Sequence, residues 1–181
     1  GEVRWHGQVI SPLPHQMVGR GLAFVPQGRR VFPRLTVREN LEIGGFVLRD
    51  RKLLGERIKA ALDLFPDLRA KFEDKAGSLS GGQQQMLALA RGLVPDPKVL
   101  FLDEPSLGLS PKLVKIVFEK IREINELFRT AIIVVEHNIK TLLGICHRAY
   151  VLERGRVAFS GSGEEVIASD ILTKVFLGEK V

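Results

Sequence analysis

The stretch SLSGGQQQ, residues 78–85, interrupts an otherwise apolar texture just before the helix-like run MLALARGLV. Ser80 and Gln83 stand at capping-box spacing, so the segment has a full local explanation as a helix start. Capping does not explain Gly81 and Gly82, each of which costs up to ~1 kcal/mol relative to alanine inside a helix. Glycines there are tolerable if something must approach the backbone closely. The exposed N–H groups and dipole of a helix start favour an anion, phosphate above all.

Acidic and basic groups follow at two other places. The apolar run VLFL (residues 99–102) leads directly into Asp103, Glu104 and Pro105. In open parallel sheets ligands bind beyond the carboxyl ends of the strands, so these carboxylates fall where a site is expected. A second apolar run, AIIVV (residues 131–135), ends in Glu136, His137 and Asn138. Singly, an acidic pair reads as a solvated strand exit, His137 as a loop histidine and Asn138 as a helix cap. Two polar strand ends in one unit raise the odds of a shared crevice. Gln27, in FVPQGRR, gains meaning only beside them.

The elements that must carry these residues can be read from periodicity. Short strands are expected at Val3–Trp5, Gln8–Ile10 and Leu22–Val25. Thr36 and Glu39 form a capping-box pair that starts a helix at Val37, and a second helix runs through KLLGERIKAALDLF to Pro66. Residues 33–77 therefore read as a helical insert. VLFL and AIIVV, joined by a helix opening at Pro111 with Leu113, Val117, Ile121, Ile124 and Phe128 on one face, read as a βαβ unit in a covered parallel sheet. A helix from about Ile139 to Cys146, a hairpin turning near Gly155, a Ser162–Glu165 capping pair and a last helix ending near Leu177 complete the chain.

Composition bounds the rest. At 181 residues and 45% hydrophobic, the chain can bury one domain-sized core. Its apolar runs fall far short of the ~18 residues of a bilayer span. Cys146 is the single cysteine, so no internal disulfide can form, and a cytosolic location is the expectation. The net charge of +6 is scattered among acids, as in RDRKLLGERIK, which weighs against nucleic acid as a partner.

Taken in order, FVPQ, LSGGQQQ, VLFLDEP, SLGLSP and VVEHN resemble the Q-loop, signature, Walker B, D-loop and H-loop of ABC-transporter ATPases. The resemblance covers the whole chain and implies an α/β fold: a P-loop NTPase-like, RecA-like core at 1–32 and 78–181 with a helical subdomain at 33–77. GRRVFPRLTVRENL, SGGQQQMLALARGL and LDEPSLGLSP are similar to the ATPases of branched-chain amino-acid importers, with urea and amide importers close behind; FLGEKV is similar to the lipopolysaccharide-export ATPase.

The resemblance also implies roles. Asp103 would hold Mg2+ through water and Glu104 would activate the attacking water as general base. His137 would contact the γ-phosphate of ATP. Gln27 would sense nucleotide and Mg2+ and couple to a transmembrane permease. Ser80, Gly81, Gly82 and Gln83 would clamp the ATP of a second ATPase subunit, in a system fed by a periplasmic or extracellular solute-binding protein. The chain would sit on the inner face of the cell membrane.

Two departures stand out. Ser110 occupies a D-loop position that often carries aspartate, which in importer ATPases casts little doubt. More seriously, no Gly-Lys dipeptide occurs, so the phosphate loop G-x-x-x-x-G-K-[ST] is missing from the 181 residues. The lone Lys-Thr pair, Lys140-Thr141, falls in an expected helix. In the family that loop precedes GEVRWHG, so the expectation is a core truncated at its N-terminus by a strand, loop and helix, ~30 residues or more. Such a chain is expected to be inactive alone. Two other readings remain open: a DNA-maintenance ATPase, disfavoured by the lack of sustained heptads in the insert, and a non-catalytic partner lending LSGGQ to a heterodimer.

Overall fold

β-branched and aromatic residues bounded by turn formers give the strands of this protein, seen in a computed structural model that describes residues 1–11, 13–172 and 174. Val3–Trp5 (β1) and Gln8–Ile10 (β2) pair antiparallel across His6 and Gly7, both left-handed. A short helix, Pro14–Met17 (α1), precedes Leu22–Val25 (β3). The chain divides into two compact units, Gly1–Val135 and Glu136–Val181.

The first unit is organised by a three-stranded parallel sheet in the order β3, Val99–Asp103 (β4), Ala131–Val135 (β5). Its register sets Leu22 against Val99 and Val99 against Ala131, which brings Asp103 level with Val135 at the carboxyl edge. The connection from β4 to β5 is Pro111–Phe128 (α6), with proline at its first helical position where no N–H is needed. Its buried stripe is Val114, Val117, Phe118, Ile121 and Ile124. The expected stripe is thus rotated slightly, leaving Leu113 and Phe128 half-buried.

One face of the sheet is dry. Ala23, Val25, Leu100 and Leu102 are buried on it. Helix Gly81–Leu93 (α5) packs so closely there that a Cβ on Gly92 would meet Val25 Cγ2 at 2.8 Å and Leu100 Cδ1 at 3.3 Å. On the opposite face Phe24 is 61% exposed, Ile133 50% and Val135 59%. The sequence expectation of a sheet covered on both faces therefore holds for one face among the described residues. Hydropathy marks these side chains as apolar without specifying what covers them.

Within 33–77 lie three helices: Val37–Gly44 (α2), Arg51–Leu64 (α3) and Pro66–Arg69 (α4). The expected capping box at Thr36 and Glu39 is formed reciprocally, and Asp50 caps α3. The two ends of the segment are joined by backbone bonds, Ala76 N–H to Leu35 O at 2.8 Å and Gly77 N–H to Pro33 O at 2.9 Å. Leu41, Leu68, Leu87 and Leu89 are fully buried, each stabilising by about 1.5–3 kcal/mol against exposure.

The second unit contains Ile139–Leu143 (α7), an antiparallel hairpin of Ala149–Glu153 (β6) and Arg156–Gly161 (β7), and Gly163–Ala168 (α8). The hairpin turns through Arg154 and Gly155, both left-handed, as the glycine anticipates. Ser162 and Glu165 form their capping box, and Leu143, Val166 and Ile171 make a small core. α7 ends earlier than Cys146, and the expected helix end near Leu177 lies outside the described residues.

Candidate functional site

Immediately beyond β4 the backbone turns through Glu104 at φ 43°, a left-handed value that a non-glycine residue adopts only when its surroundings impose it. The constraint is visible: Glu104 N–H donates to Val135 O at 2.8 Å, tying the exit of β4 to the end of β5, and Leu107 N–H returns to Glu104 O at 3.1 Å. Pro105 and Ser106 are buried beneath it. The carboxylate of Glu104 is thereby presented at the carboxyl edge of the sheet, with Asp103 as the last residue of β4 beside it.

Gln27 reaches this edge from β3. Its Nε2 donates to Glu104 Oε2 at 2.6 Å, joining residues 77 positions apart. The loop that follows is unusual: Gly28, Arg29 and Arg30 have φ of 84°, 67° and 27° in succession. It is pinned by Arg30 N–H to Gly28 O at 2.8 Å and Arg30 Nε to Gln27 O at 3.3 Å. From the other side, Arg91 Nη2 donates to Arg30 O at 2.6 Å while its guanidinium lies 5.2 Å from the Phe32 ring centroid. Burial lowers the pKa of Arg91 below its ordinary value, and its Nη1 is enclosed without a hydrogen-bond partner among the described residues.

The loop from Phe32 to Thr36 has its own anchor. Asn40 is fully buried in α2; its Oδ1 accepts from Phe32 N–H at 2.8 Å, and its Nδ2 donates to Phe32 O at 3.1 Å and Thr36 O at 2.8 Å. Such a side chain substitutes for secondary structure in a loop that would otherwise bury unpaired backbone groups.

At the start of α5, Ser80 Oγ accepts from Gln83 N–H at 3.3 Å and Gln83 Oε1 accepts from Ser80 N–H at 3.0 Å, the capping box expected from spacing. The glycines have additional reasons. A Cβ on Gly81 would lie 2.6 Å from Arg29 Nη1, and one on Gly82 would lie 2.9 Å from Leu113 Cδ1. Close approach is thus real, and protein side chains already impose it. Sequence reasoning missed Arg29, Asn40 and Arg91; the dense GRR cluster after Gln27 was the one local hint.

His137 and Asn138 open the second unit. Both backbone N–H groups donate to Glu136 Oε1, at 2.8 and 3.1 Å. Asn138 occupies the cap position of α7, yet its side chain makes no capping bond; Oδ1 accepts from Thr141 Oγ1 at 3.2 Å instead. The reading of Asn138 as a side-chain cap is corrected accordingly, because its backbone at ψ 68° lies outside the extended geometry that capping uses.

The donor set at the sheet edge is hard oxygen. Among the described residues no three of His, Cys, Asp and Glu cluster as a protein-only metal cage. The carboxylates of Asp103 and Glu104 and the Gln27 carboxamide are oxygen-bearing groups of the type that suits Mg2+, which keeps water and phosphate oxygens among its ligands. No helix among the described residues is long and apolar enough to cross a membrane.

Comparison with known proteins identifies the family and the fold. The family model described as ABC transporter matches residues 1–107. The probable branched-chain amino acid transport ATP-binding protein LivF of Archaeoglobus fulgidus is 43% identical, covering 95% of this chain and 72% of its own length. The high-affinity branched-chain amino acid transport ATP-binding protein BraG of Pseudomonas aeruginosa is 41% identical, covering 98% and 76%. The lipopolysaccharide export ATP-binding protein LptB of Haemophilus influenzae is 33% identical, covering 99% and 75%.

Among solved structures, CbiO1 of Clostridium perfringens, part of an ABC transporter complex, superposes with a TM-score of 0.82 at 26% identity, covering 96% of this chain and 71% of that one. The ATP-binding cassette MJ0796, a dimer bound to ADP and Pi, gives 0.75 at 26% identity, covering 90% and 73%. With its parallel sheet, polar strand exits and capped glycine turn, this chain belongs to the ATP-binding cassette family of ABC transporter ATPases.

Proposed function

We propose that this chain is the ATP-hydrolysing subunit of an ABC importer for branched-chain amino acids, with Glu104 as the base that activates water. The observation that carries the reading is the Gln27–Glu104 hydrogen bond at the carboxyl edge of β4, with Glu104 held in a left-handed conformation by Val135. A carboxylate so fixed can receive a proton from a water aligned with the γ-phosphate without reorganising first.

Asp103 and the Oε1 of Gln27, whose Nε2 is engaged by Glu104, are the oxygens that would hold Mg2+. Bound there, Mg2+ would neutralise charge on the ATP phosphates. His137, following β5, is assigned to the γ-phosphate. Ser80, Gly81, Gly82 and Gln83 form the half-site offered to ATP on a second ATPase subunit, consistent with the dimeric relative bound to ADP and Pi. The permease would receive these motions, with a solute-binding protein acting from the far side of the membrane and this subunit peripheral on its inner face.

The 181 residues include no G-x-x-x-x-G-K-[ST] loop. The assigned turnover requires such a loop, and the 181 residues assayed by themselves are expected to hydrolyse no ATP. Identities of 43% and 41% to the amino-acid transport proteins, against 33% to the lipopolysaccharide export protein, favour an amino-acid cargo. Uptake of radiolabelled leucine into vesicles carrying the assembled transporter tests the cargo: ATP-driven accumulation, abolished by Glu104→Gln, is expected. Lack of leucine uptake by vesicles that hydrolyse ATP would refute it.

A further inference from the structure

Arg29 belongs to none of the roles above, yet it lies at the meeting point of three loops. Its Nη2 donates to Gly108 O at 3.2 Å, across 79 positions of sequence. Its Nη1 occupies the space a Cβ on Gly81 would need, at 2.6 Å, with Cζ at 3.0 Å. Gly108 is itself left-handed at φ 68°, and a Cβ there would come within 3.3 Å of Arg29 Nη2. One planar guanidinium therefore spans the first turn of α5 and the loop after Glu104, a task for a fork of fixed geometry rather than a point charge.

The other end of the same short loop is Gln27, two residues away and bonded to Glu104. Gly28, Arg29 and Arg30 are all left-handed, and the loop is pinned by Arg30 Nε on Gln27 O and by Arg91 Nη2 on Arg30 O. Arg29 and the partner of Glu104 therefore share one short, pinned loop, the connection through which a displacement of Gly108 or of the first turn of α5 would reach Gln27.

We propose that Arg29 is a positioning residue that aligns Gln27 on Glu104 by bridging Gly81 and Gly108, so that the turn offered to a second subunit's ATP also sets the water-activating pair of its own chain. The inference rests on the proposed function above and deepens it. Arg29 touches no reacting atom; it acts through Gln27.

The test uses the assembled transporter and reads kcat, KM and the Hill coefficient for ATP. Arg29→Ala should lower kcat about 10- to 100-fold, the scale of a displaced catalytic geometry, with KM and melting temperature little changed and the Hill coefficient falling toward 1. Arg29→Ala added to Gln27→Ala should cost nothing further. Arg29→Lys should restore little, because one ammonium cannot span both contacts.

Full turnover in Arg29→Ala, additive losses with Gln27→Ala, or full rescue by lysine would each overturn the proposal. Glu104→Gln, measured in parallel, separates the two claims. If Glu104→Gln still turns over, the functional reading fails; if it is dead while Arg29→Ala is fully active and cooperative, the role of Arg29 alone fails.

Discussion

Gln27 Nε2 and Glu104 Oε2 meet at 2.6 Å, although one follows β3 and the other follows β4. The parallel register makes this possible: Val25 is level with Leu102, so the residues leaving both strands emerge at one edge. Replacing Gln27 by glutamate would set two carboxylates against each other in place of the hydrogen bond. In the assembled ATPase, Gln27→Glu should lower kcat more than Gln27→Ala, which only removes the donor. Steady-state turnover of both variants, with melting temperatures to show that each folds, checks the order; equal losses would mean that the like charge adds nothing.

Packing between α2 and α5 yields a prediction in which two effects oppose each other. Gly44→Ala would gain up to ~1 kcal/mol of helix propensity. The new Cβ would, however, lie 2.5 Å from the Arg91 carbonyl oxygen and 2.8 Å from Arg91 Cγ. A backbone carbonyl inside α5 cannot move aside, so overpacking of about 1–3 kcal/mol should win. The expected outcome is a lower urea midpoint with an unchanged slope; a midpoint equal to or above that of the unsubstituted protein would mean that the helices separate freely.

The cap of α2 makes stability depend on acid. The backbone N–H of Thr36 holds the Glu39 carboxyl below its ordinary value of 4.5, helped by the Thr36 hydroxyl and by the charges of Arg38 and Lys75. A depressed folded-state pKa contributes stability that is complete above about 4.5 and is lost as pH falls through the lower folded value. Glu39→Gln should therefore flatten the stability profile below pH 4.5 while leaving its shape near neutrality unchanged. Urea unfolding at a series of pH values checks this.

The open sheet face predicts dye binding. Phe24 on β3 and Ile133 and Val135 on β5 expose apolar surface on one face of the sheet, with Phe101 of β4 level with Phe24 and Ile133 between them, and apolar patches of that kind bind hydrophobic probes. The 181 residues should enhance anilinonaphthalene sulfonate fluorescence under native conditions, and Phe24→Thr with Ile133→Thr should reduce the signal while preserving far-UV circular dichroism. An unaltered signal would place the binding elsewhere.

Much of the fold is legible in the sequence. Local signals carried the three capping boxes at Thr36, Ser80 and Ser162, and all three are formed. Continuous apolar runs carried β4 and β5, together with the polar exits at Asp103, Glu104 and His137. What the chain does not advertise are contacts between distant segments. Arg29 meets Gly108 and Arg91 meets Arg30 across long stretches of sequence, and no periodicity encodes either pairing. Asn40 was hidden differently: a polar residue in an amphipathic helix reads as solvent-facing, yet this one is buried and its carboxamide is satisfied by four hydrogen bonds to the 32–36 loop backbone. Asn138 has a cap's identity without a cap's backbone, and only its dihedral angles tell the two apart.

The central claim is that Glu104 activates the water that attacks ATP. Steady-state hydrolysis and equilibrium ATP binding by Glu104→Gln in the assembled ATPase test it directly. Turnover should fall roughly 10²- to 10⁴-fold, the usual contribution of a positioned general base, with ATP binding retained. Near-normal turnover by Glu104→Gln would contradict it.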